Sequence, residues 1–559
     1  MKKRLLALFV AIIMVMPMIV ACGNGGGAGG GGDFDIAEPG QFPIVPNMGD
    51  LHFTFMVVDH PAIMSWDNNY FIQWMTEMTN ITLDFEAIPT EGRHDRLNII
   101  LSAGDIPDAL IIDLTDAQVM RFGVEEGMFL ALNDLIDDYG HYIHNVFEQF
   151  PMALNLSTME NGNIYSLPSI NDAFHVYMHN RMWINQVWLD NLGLEVPTTT
   201  DEFFDVLVAF RDNDANGNGD PNDEIPLAGA TNMWGGQVDH FIMNAFTHYV
   251  IQMEEWNTSN TGLWVDDGTI VHSFNDPGFR EGLMFLNRMF EEGLIHPASF
   301  NQNMDQVTAM AENPAVNILG AAPAGFIMFA TMGGERYSEY TAVYPLAGPN
   351  GFRNVVANPY VPVSRNRATI NLDAPNPEAI FRWIDLLYDE VATLNSYYGP
   401  QDVAWEWAQD GDIGLDGNPA LYRQLIPWQE TEPQNYHLVQ QIPDLRSSRI
   451  RLGLADNPDL PLHSADRLET MLYAVALEYW QFAQPDRFRP PLRFTVEEAD
   501  ATMLQRVEVN RIIQESITAF IMGTLSVELD FDNFVAELYA AGLGDIMEQE
   551  QAAFDAQWR

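Results

Sequence analysis

The 559-residue chain is long enough for two to four domains, and its 47% hydrophobic and 11% aromatic content describes a globular protein rather than a disordered one. Its 78 acidic residues against 26 basic ones leave a net charge of −52, a field that repels phosphate backbones and excludes nucleic acid as a partner. A single cysteine, Cys22, rules out an intrachain disulfide and a cysteine-built metal centre.

In chain order, the first element is an address. Met1-Lys2-Lys3-Arg4 is followed by an apolar run over residues 5–21, broken by Pro17, as in a signal peptide. Its 17 residues are at the lower limit for a membrane span. Ile19-Val20-Ala21-Cys22 has the shape of a lipobox, and the glycine-rich stretch over 23–32 reads as a flexible tether within a connecting segment that reaches residue 48. Residues 1–21 are therefore expected to be removed and Cys22 to be acylated, which anchors the chain on the extracytoplasmic side of the cell membrane. The alternative is an uncleaved N-terminal helix with a buried cysteine.

From residue 51 short apolar runs alternate with amphipathic stretches. Strands are expected over 52–58, 81–86 and 109–113, with helices over 70–78 and 93–103, the second ended by Gly104. This β-α-β-α-β opening implies a parallel sheet with crossover helices. The remainder is more helical, with apolar spacing over 277–292, 377–394 and 495–524. Helix starts are marked by Asp276-Pro277 and by the Thr199/Glu202 and Thr495/Glu498 capping boxes, and stops by Gly293 and Gly523.

The sharpest local signal runs from Asp212 to Glu224, where oxygen-bearing side chains recur at alternate positions around Gly217 and Gly219. Hard cations such as Ca²⁺ are bound by loops of this composition. Asp212, Asp214, Asn216, Asn218, Asp220, Asp223 and Glu224 are the candidate ligands of a structural Ca²⁺. The register can start at Asp212 or at Asp214, and the sequence after the loop is extended, so a full EF-hand is not implied. A solvated acidic turn is the alternative.

No H-E-x-x-H, G-x-S-x-G or P-loop pattern occurs. His141 and His144 share a possible helix face but have no third ligand nearby, which favours packing over zinc. Several of the 13 tryptophans lie in polar, loop-like surroundings. An indole face beside hydrogen-bonding groups suits a sugar, which has apolar C–H patches within a rim of hydroxyls. Trp66, Trp234, Trp264, Trp405 and Trp407 are the candidate ligand contacts, with Asp239 and Asp402 as hydroxyl acceptors; Trp256 belongs to the same group, and core packing is the competing role for each.

Several motifs resemble one family. They include Asn98-Ile99-Ile100-Leu101-Ser102-Ala103-Gly104-Asp105-Ile106-Pro107-Asp108, Gly162-Asn163-Ile164-Tyr165-Ser166-Leu167-Pro168, and Trp188-Leu189-Asp190-Asn191-Leu192-Gly193-Leu194 followed by Pro197-Thr198-Thr199. The acidic loop, Tyr398-Gly399 and Phe520-Ile521-Met522-Gly523 continue the series in order. In this series the chain is similar to the extracellular solute-binding lipoproteins of carbohydrate ABC importers (family 1, LipO/YtcQ-like). The resemblance implies an α/β, periplasmic-binding-protein-like two-lobed fold of type II-like form, with a ligand cleft between the lobes and a helical C-terminal portion. One lobe is expected over roughly 49–165 plus returning segments, and the other over roughly 166–340 plus C-terminal helices. It also implies a monomer without catalytic activity that hands a sugar or oligosaccharide to a membrane permease. A surface-anchored glycoside hydrolase and a peptide or sensory receptor remain the alternative readings.

Overall fold

The computed structural model describes residues 35–90, 92–251, 261–426 and 433–559. The expected signal peptide, Cys22, the glycine tether and Trp256 lie outside these residues. Strands follow in the order β1 (Leu51–Asp59), β2 (Ile81–Pro89), β3 (Ala109–Leu110), β4 (Leu167–Asn171), β5 (Met182–Asn185), β6 (Ile225–Leu227), β7 (Leu263–Asp266) and β8 (Thr269–His272). After them come β9 (Leu319–Pro323), β10 (Tyr340–Val343), β11 (Val363–Ile370), β12 (Trp405–Trp407), β13 (Tyr422–Gln424) and β14 (Leu445–Arg446).

Two sheets organise the molecule. The first has the order β14-β4-β11-β3-β1-β2, and β1 runs parallel to both β2 and β3, as the opening pattern predicts. The sheet is covered on both sides because alternate residues of a strand face opposite ways. Phe53, Phe55 and Val57 enter one apolar core, while Met56 and Val58 enter another with Leu97, Leu101 and Ile112. The helices Tyr70–Thr79 and Arg93–Ala103 close the crossovers, and Gly104 ends the second in the left-handed region at φ 75°.

The second sheet, β10-β5-β9-β6, sits in a separate core. Its strands are short and buried, and helices with strongly apolar faces pack on them: Phe203, Leu207 and Phe210 from Thr200–Asp212, and Phe279, Leu283 and Leu286 from Pro277–Glu291. The C-terminal helices Val496–Ile521, Val527–Ala540 and Leu543–Trp558 join this core through residues such as Ile513, Phe520, Phe534 and Ile546. The Thr199/Glu202 and Thr495/Glu498 capping boxes both form. The single helix expected over 377–394 is instead two, Pro377–Leu386 and Glu390–Tyr398. Asp389 leaves helical geometry between them, and its carboxylate accepts the Val391 and Ala392 amides.

The chain passes between the sheets three times, after β4, after β10 and after β14, in each case on the same side. The first passage leaves after Asn171, later than the boundary expected near 165/166, because β4 pairs with β11 and β14 in the first sheet. At the other end, residues before β1 are pinned to the first lobe. Ile44 and Val45 lie in its core, and the Arg382 guanidinium donates to the carbonyls of Ala37 and Gln41.

Each lobe buries a histidine. Burial lowers His248 in the second lobe and His437 in the first to about 4. An unfolded chain takes up a proton on each histidine below about pH 6.5, whereas the native state holds them neutral. Stability is therefore full above that pH and declines as the pH falls towards 4, by about 2–3 kcal/mol per histidine at pH 4.5. Denaturant midpoints measured at pH 7 and pH 4.5 will differ less in His248→Gln and in His437→Gln than in the parent protein.

Candidate functional site: the groove at the lobe crossings

The passages define where a ligand can sit. Parallel strands β1, β3, β4 and β14 end at the edge from which the chain leaves the first sheet, and α/β sheets bind ligands at carboxyl ends of this kind. On the second sheet the facing edge holds the start of β5 and the ends of β6, β9 and β10. Backbone hydrogen bonds hold the roots of the passages together: Asn171 N at the end of β4 donates to Pro362 O at 2.8 Å, Asp172 N to Arg446 O at the end of β14 at 2.8 Å, and Asn358 N joins the second passage to the first through Tyr177 O at 2.8 Å. Segments rooted side by side in this way can act as a hinge between two rigid bodies.

The first-lobe edge is rich in charge, but its guanidiniums are paired. Arg93 meets Asp113 at 3.2 Å, and Arg367 contacts the same carboxylate. Arg365 meets Asp116 at 2.8 Å, and Arg446 meets Asp444 at 2.8 Å. Gln440 ties the row together, accepting from Arg367 on its carbonyl at 3.0 Å and from Arg446 on its side chain at 2.7 Å. Burial lowers Arg367 to about 10, so it stays charged at neutral pH.

On the second-lobe edge, Trp234 lies parallel to His179 with ring centroids 5.4 Å apart. Gly325 packs against its six-membered ring so closely that a Cβ there would stand 2.1 Å from Cε3. The buried Arg181 guanidinium donates to the carbonyls of Gly325 and His175, locking this edge to the first passage.

Between the lobes lies a small cavity of about 20 Å³. Tyr397, Tyr398, Met332 and Leu468 line it, with Gln424, Asp466 and Glu469 supplying polar groups. Glu469 accepts from Arg451 through both carboxylate oxygens at 2.9 Å, and His175 lies 3.7 Å away. Burial opposes the Arg451 charge, but Glu469 and the nearby tyrosines more than offset it and hold the guanidinium above its ordinary range. Burial, with Arg451, Arg181 and Arg446 close by, pushes His175 well below its ordinary range, so the imidazole is neutral. Arg446 and Arg451 also sit over the Tyr397 ring at 4.8 and 5.7 Å. The arrangement offers aromatic surface, an amide and two carboxylates, which suits hydroxyl-rich molecules.

Of the residues expected here, Trp234 alone lies at a facing sheet edge. Trp66 is a core residue whose Nε1 donates to Val58 O at 3.2 Å and whose ring packs against Phe85. Trp405 is fully buried, donating to Asn395 Oδ1 and Gly399 O at 3.1 Å each. Asp239 is buried in the second lobe and accepts the Tyr249 hydroxyl at 2.5 Å. In this structure these three, expected as cleft contacts, serve as packing and internal hydrogen-bonding groups. Trp264, on the β7–β8 ribbon, is held between His248 at 5.0 Å and Arg487 at 4.9 Å. Trp407 and Asp402 are exposed on the β12–β13 hairpin and the turn before it. Tyr397, Tyr398, Gln424 and Glu469 were not singled out by the sequence. Tyr398-Gly399 in the motif series was the only pointer.

In the acidic loop, Asp212 turns outward to Arg211 at 2.7 Å. Asp223 accepts from Asn216 Nδ2 at 2.9 Å and from Asn218 Nδ2 at 2.7 Å. Asp214 Oδ1 and Glu224 Oε2 are buried without a hydrogen-bond partner, and burial raises the Glu224 carboxyl. Among the described residues no group of three or more His, Cys, Asp or Glu side chains is arranged to hold a metal, so a cation here would need asparagine and carbonyl oxygens as well.

Two α/β bodies hinged at one edge, with a lined groove between them, are the architecture of two-lobed ligand-binding proteins. The chain belongs to the bacterial extracellular solute-binding protein family, whose model matches residues 60–393. The fructooligosaccharide ABC transporter substrate-binding protein FusA of Streptococcus pneumoniae serotype 4 is 26% identical over 359 residues, covering 62% of this chain and 62% of FusA. The match thus spans less than two thirds of that relative's length. The Bacillus subtilis lipoprotein LipO is 27% identical over 209 residues, covering 37% of this chain and 38% of LipO. The B. subtilis polygalacturonan/rhamnogalacturonan-binding protein YtcQ is 30% identical over 226 residues, covering 40% and 41%. Among solved structures, S. pneumoniae FusA with kestose superposes with a TM-score of 0.71 at 23% identity over 90% of this chain and 99% of that one. A FusA EF-hand mutant with fructo-nystose gives the same values. A solute-binding protein from Bifidobacterium longum infantis, described as binding HMO, gives 0.73 at 19% identity over 91% and 99%. At these identities the structural likeness is one of fold, and the fold is the two-lobed, mixed α/β one.

Replacing Glu469 by Gln strands the Arg451 guanidinium, whose side chain is 6% exposed, without a counter-charge. Loss of one partner from a buried pair costs about 3–5 kcal/mol. Urea unfolding followed by tryptophan fluorescence will show the midpoint of Glu469→Gln well below that of the parent.

Proposed function

We propose that this protein is the substrate-binding component of an ABC importer, capturing a neutral oligosaccharide in the groove at the lobe crossings and delivering it to a membrane permease. The observation that carries this reading is the hinge itself: three passages rooted side by side at the facing edges of two separately cored lobes, beside a small tyrosine-walled cavity. Capture follows from differential contact. A sugar touching both lobes binds the closed arrangement more tightly than the open one, so it shifts the population towards closure, and the closed form presents a distinct surface to a permease. The paired guanidiniums of the first-lobe edge favour an uncharged guest, because a uronate would compete with Asp113, Asp116 and Asp444 for cations already satisfied. No bond in the guest needs to break. Acylation of Cys22 would hold the protein at the membrane and raise its effective concentration at the permease.

The acidic loop is read as a structural Ca²⁺ site held by Asp214, Asn216, Asn218, Asp220, Asp223 and Glu224. Two buried carboxylate oxygens without hydrogen-bond partners support this reading, as does the outward turn of Asp212, which favours the register starting at Asp214. The ion would supply charge balance for converging carboxylates and pin the link between the helix Thr200–Asp212 and β6.

Titration calorimetry and tryptophan fluorescence against kestose, nystose and other neutral oligosaccharides should show saturable binding, with trigalacturonate giving none. Preferential, salt-sensitive binding of the uronate would overturn the neutral-ligand reading, and release of reducing ends would overturn the binding-only role. Chelation by EDTA should lower the melting temperature by roughly 5 °C. Asp214→Ala should melt at the chelated temperature and lose the response to added Ca²⁺.

A further inference from the structure

The C-terminal helix Leu543–Trp558 serves both lobes. Leu543 and Ile546 at its start lie in the second core, whereas Trp558 at its end packs against the first. Trp558 stands edge-on to Tyr360 with centroids 5.3 Å apart, and Tyr360 belongs to the passage between β10 and β11. Gln557 grips the backbone of Arg493 from both sides: Arg493 N donates to Gln557 Oε1 at 3.0 Å, and Gln557 Nε2 donates to Arg493 O at 2.8 Å.

Arg493 lies between two helices of the second core, Leu468–Trp480 and Val496–Ile521, yet its guanidinium is spent on the first lobe. It donates to Asn155 O at 2.9 Å, to Thr158 O, and to Asn155 Oδ1 at 3.2 Å. These acceptors close the helix Pro151–Ser157, whose Ala153 and Leu156 lie in the first core. Final helix carbonyls lack intrahelical partners and carry the negative end of the helix dipole, so a cation is favoured there. The contact borders an open cavity of about 380 Å³ shared with Glu160. It is polar and solvent-bordered, and it can be made and broken.

We infer that Arg493, held by Gln557 and steadied by Trp558, is a positioning residue that sets how readily the lobes open and close, from a place outside the ligand cavity. Only the affinity readout rests on the solute-binding reading; the shape of the free protein does not. In the full chain, Arg493→Gln and Arg493→Lys would be compared with the parent by small-angle scattering without ligand, by hydrogen exchange, and by titration with kestose. For Arg493→Gln we expect a changed radius of gyration of the free protein and about tenfold faster exchange in the last turn of Pro151–Ser157. Kestose affinity should change about fivefold or more in either direction, and the melting temperature should stay within about 2 °C of the parent. Arg493→Lys, which keeps the charge but not the three-way fork, should fall between. Gln557→Ala should reproduce the change in shape and guards against a folding defect at position 493. Unchanged scattering in Arg493→Gln and Gln557→Ala overturns the inference, even if exchange quickens. If the shape changes while kestose binds to neither parent nor variant, the latch stands and kestose fails as the ligand.

Discussion

A guanidinium removed from water has to meet a carboxylate or converging carbonyls, and in this protein the requirement is concentrated where the chain passes from lobe to lobe. Arg451 follows β14 on the first-lobe side, and Glu469 begins the first helix of the second core after that passage. Their pairing, with neutral His175 alongside, joins two of the three passages at a point where the desolvation cost of separation is high. Arg181 does the same for the first passage and the end of β9 through backbone carbonyls. The hinge is therefore rigid in composition although it is short in sequence. Motion is left to rotations of the intervening backbone rather than to loss of these contacts.

The groove follows from this arrangement. Each sheet turns its exit edge to the passages, so Asp113, Asp116, Arg365 and Arg367 on one lobe and Trp234 and Gly325 on the other lie at the facing edges. The resulting polarity is specific in kind: guanidiniums already paired with carboxylates on one edge, and a stacked Trp234 and His179 on the other. Such a surface can exchange hydrogen bonds with hydroxyls without a large electrostatic preference.

The first sheet was legible from sequence because its strands alternate cleanly and its helices carry end signals; the helix Arg93–Ala103 begins and ends where Arg93 and Gly104 indicated. The break at Asp389 was not legible, since apolar spacing continues across it and only the capping geometry of the folded chain reveals the interruption. Strands such as β9, Leu-Gly-Ala-Ala-Pro, are buried throughout and carry no periodicity to read. Site residues were harder still. Trp66 and Trp405 stand in polar, loop-like sequence, but local polarity does not report depth, and both rings are inside. Tyr397 and Tyr398 end a helix, where tyrosine ordinarily signals packing. What brings them to the cavity is the later return of Glu469 and Leu468 from the other side, a contact no local window contains.

The seating of residues 37–45 on the first lobe has a mechanical meaning. Arg382 and the core around Ile44 clamp that strand of chain before it reaches β1. A load applied at Asp35 thus enters through the first lobe. The second lobe swings without a restoring force from that direction, as a door moves freely when only its frame is bolted down.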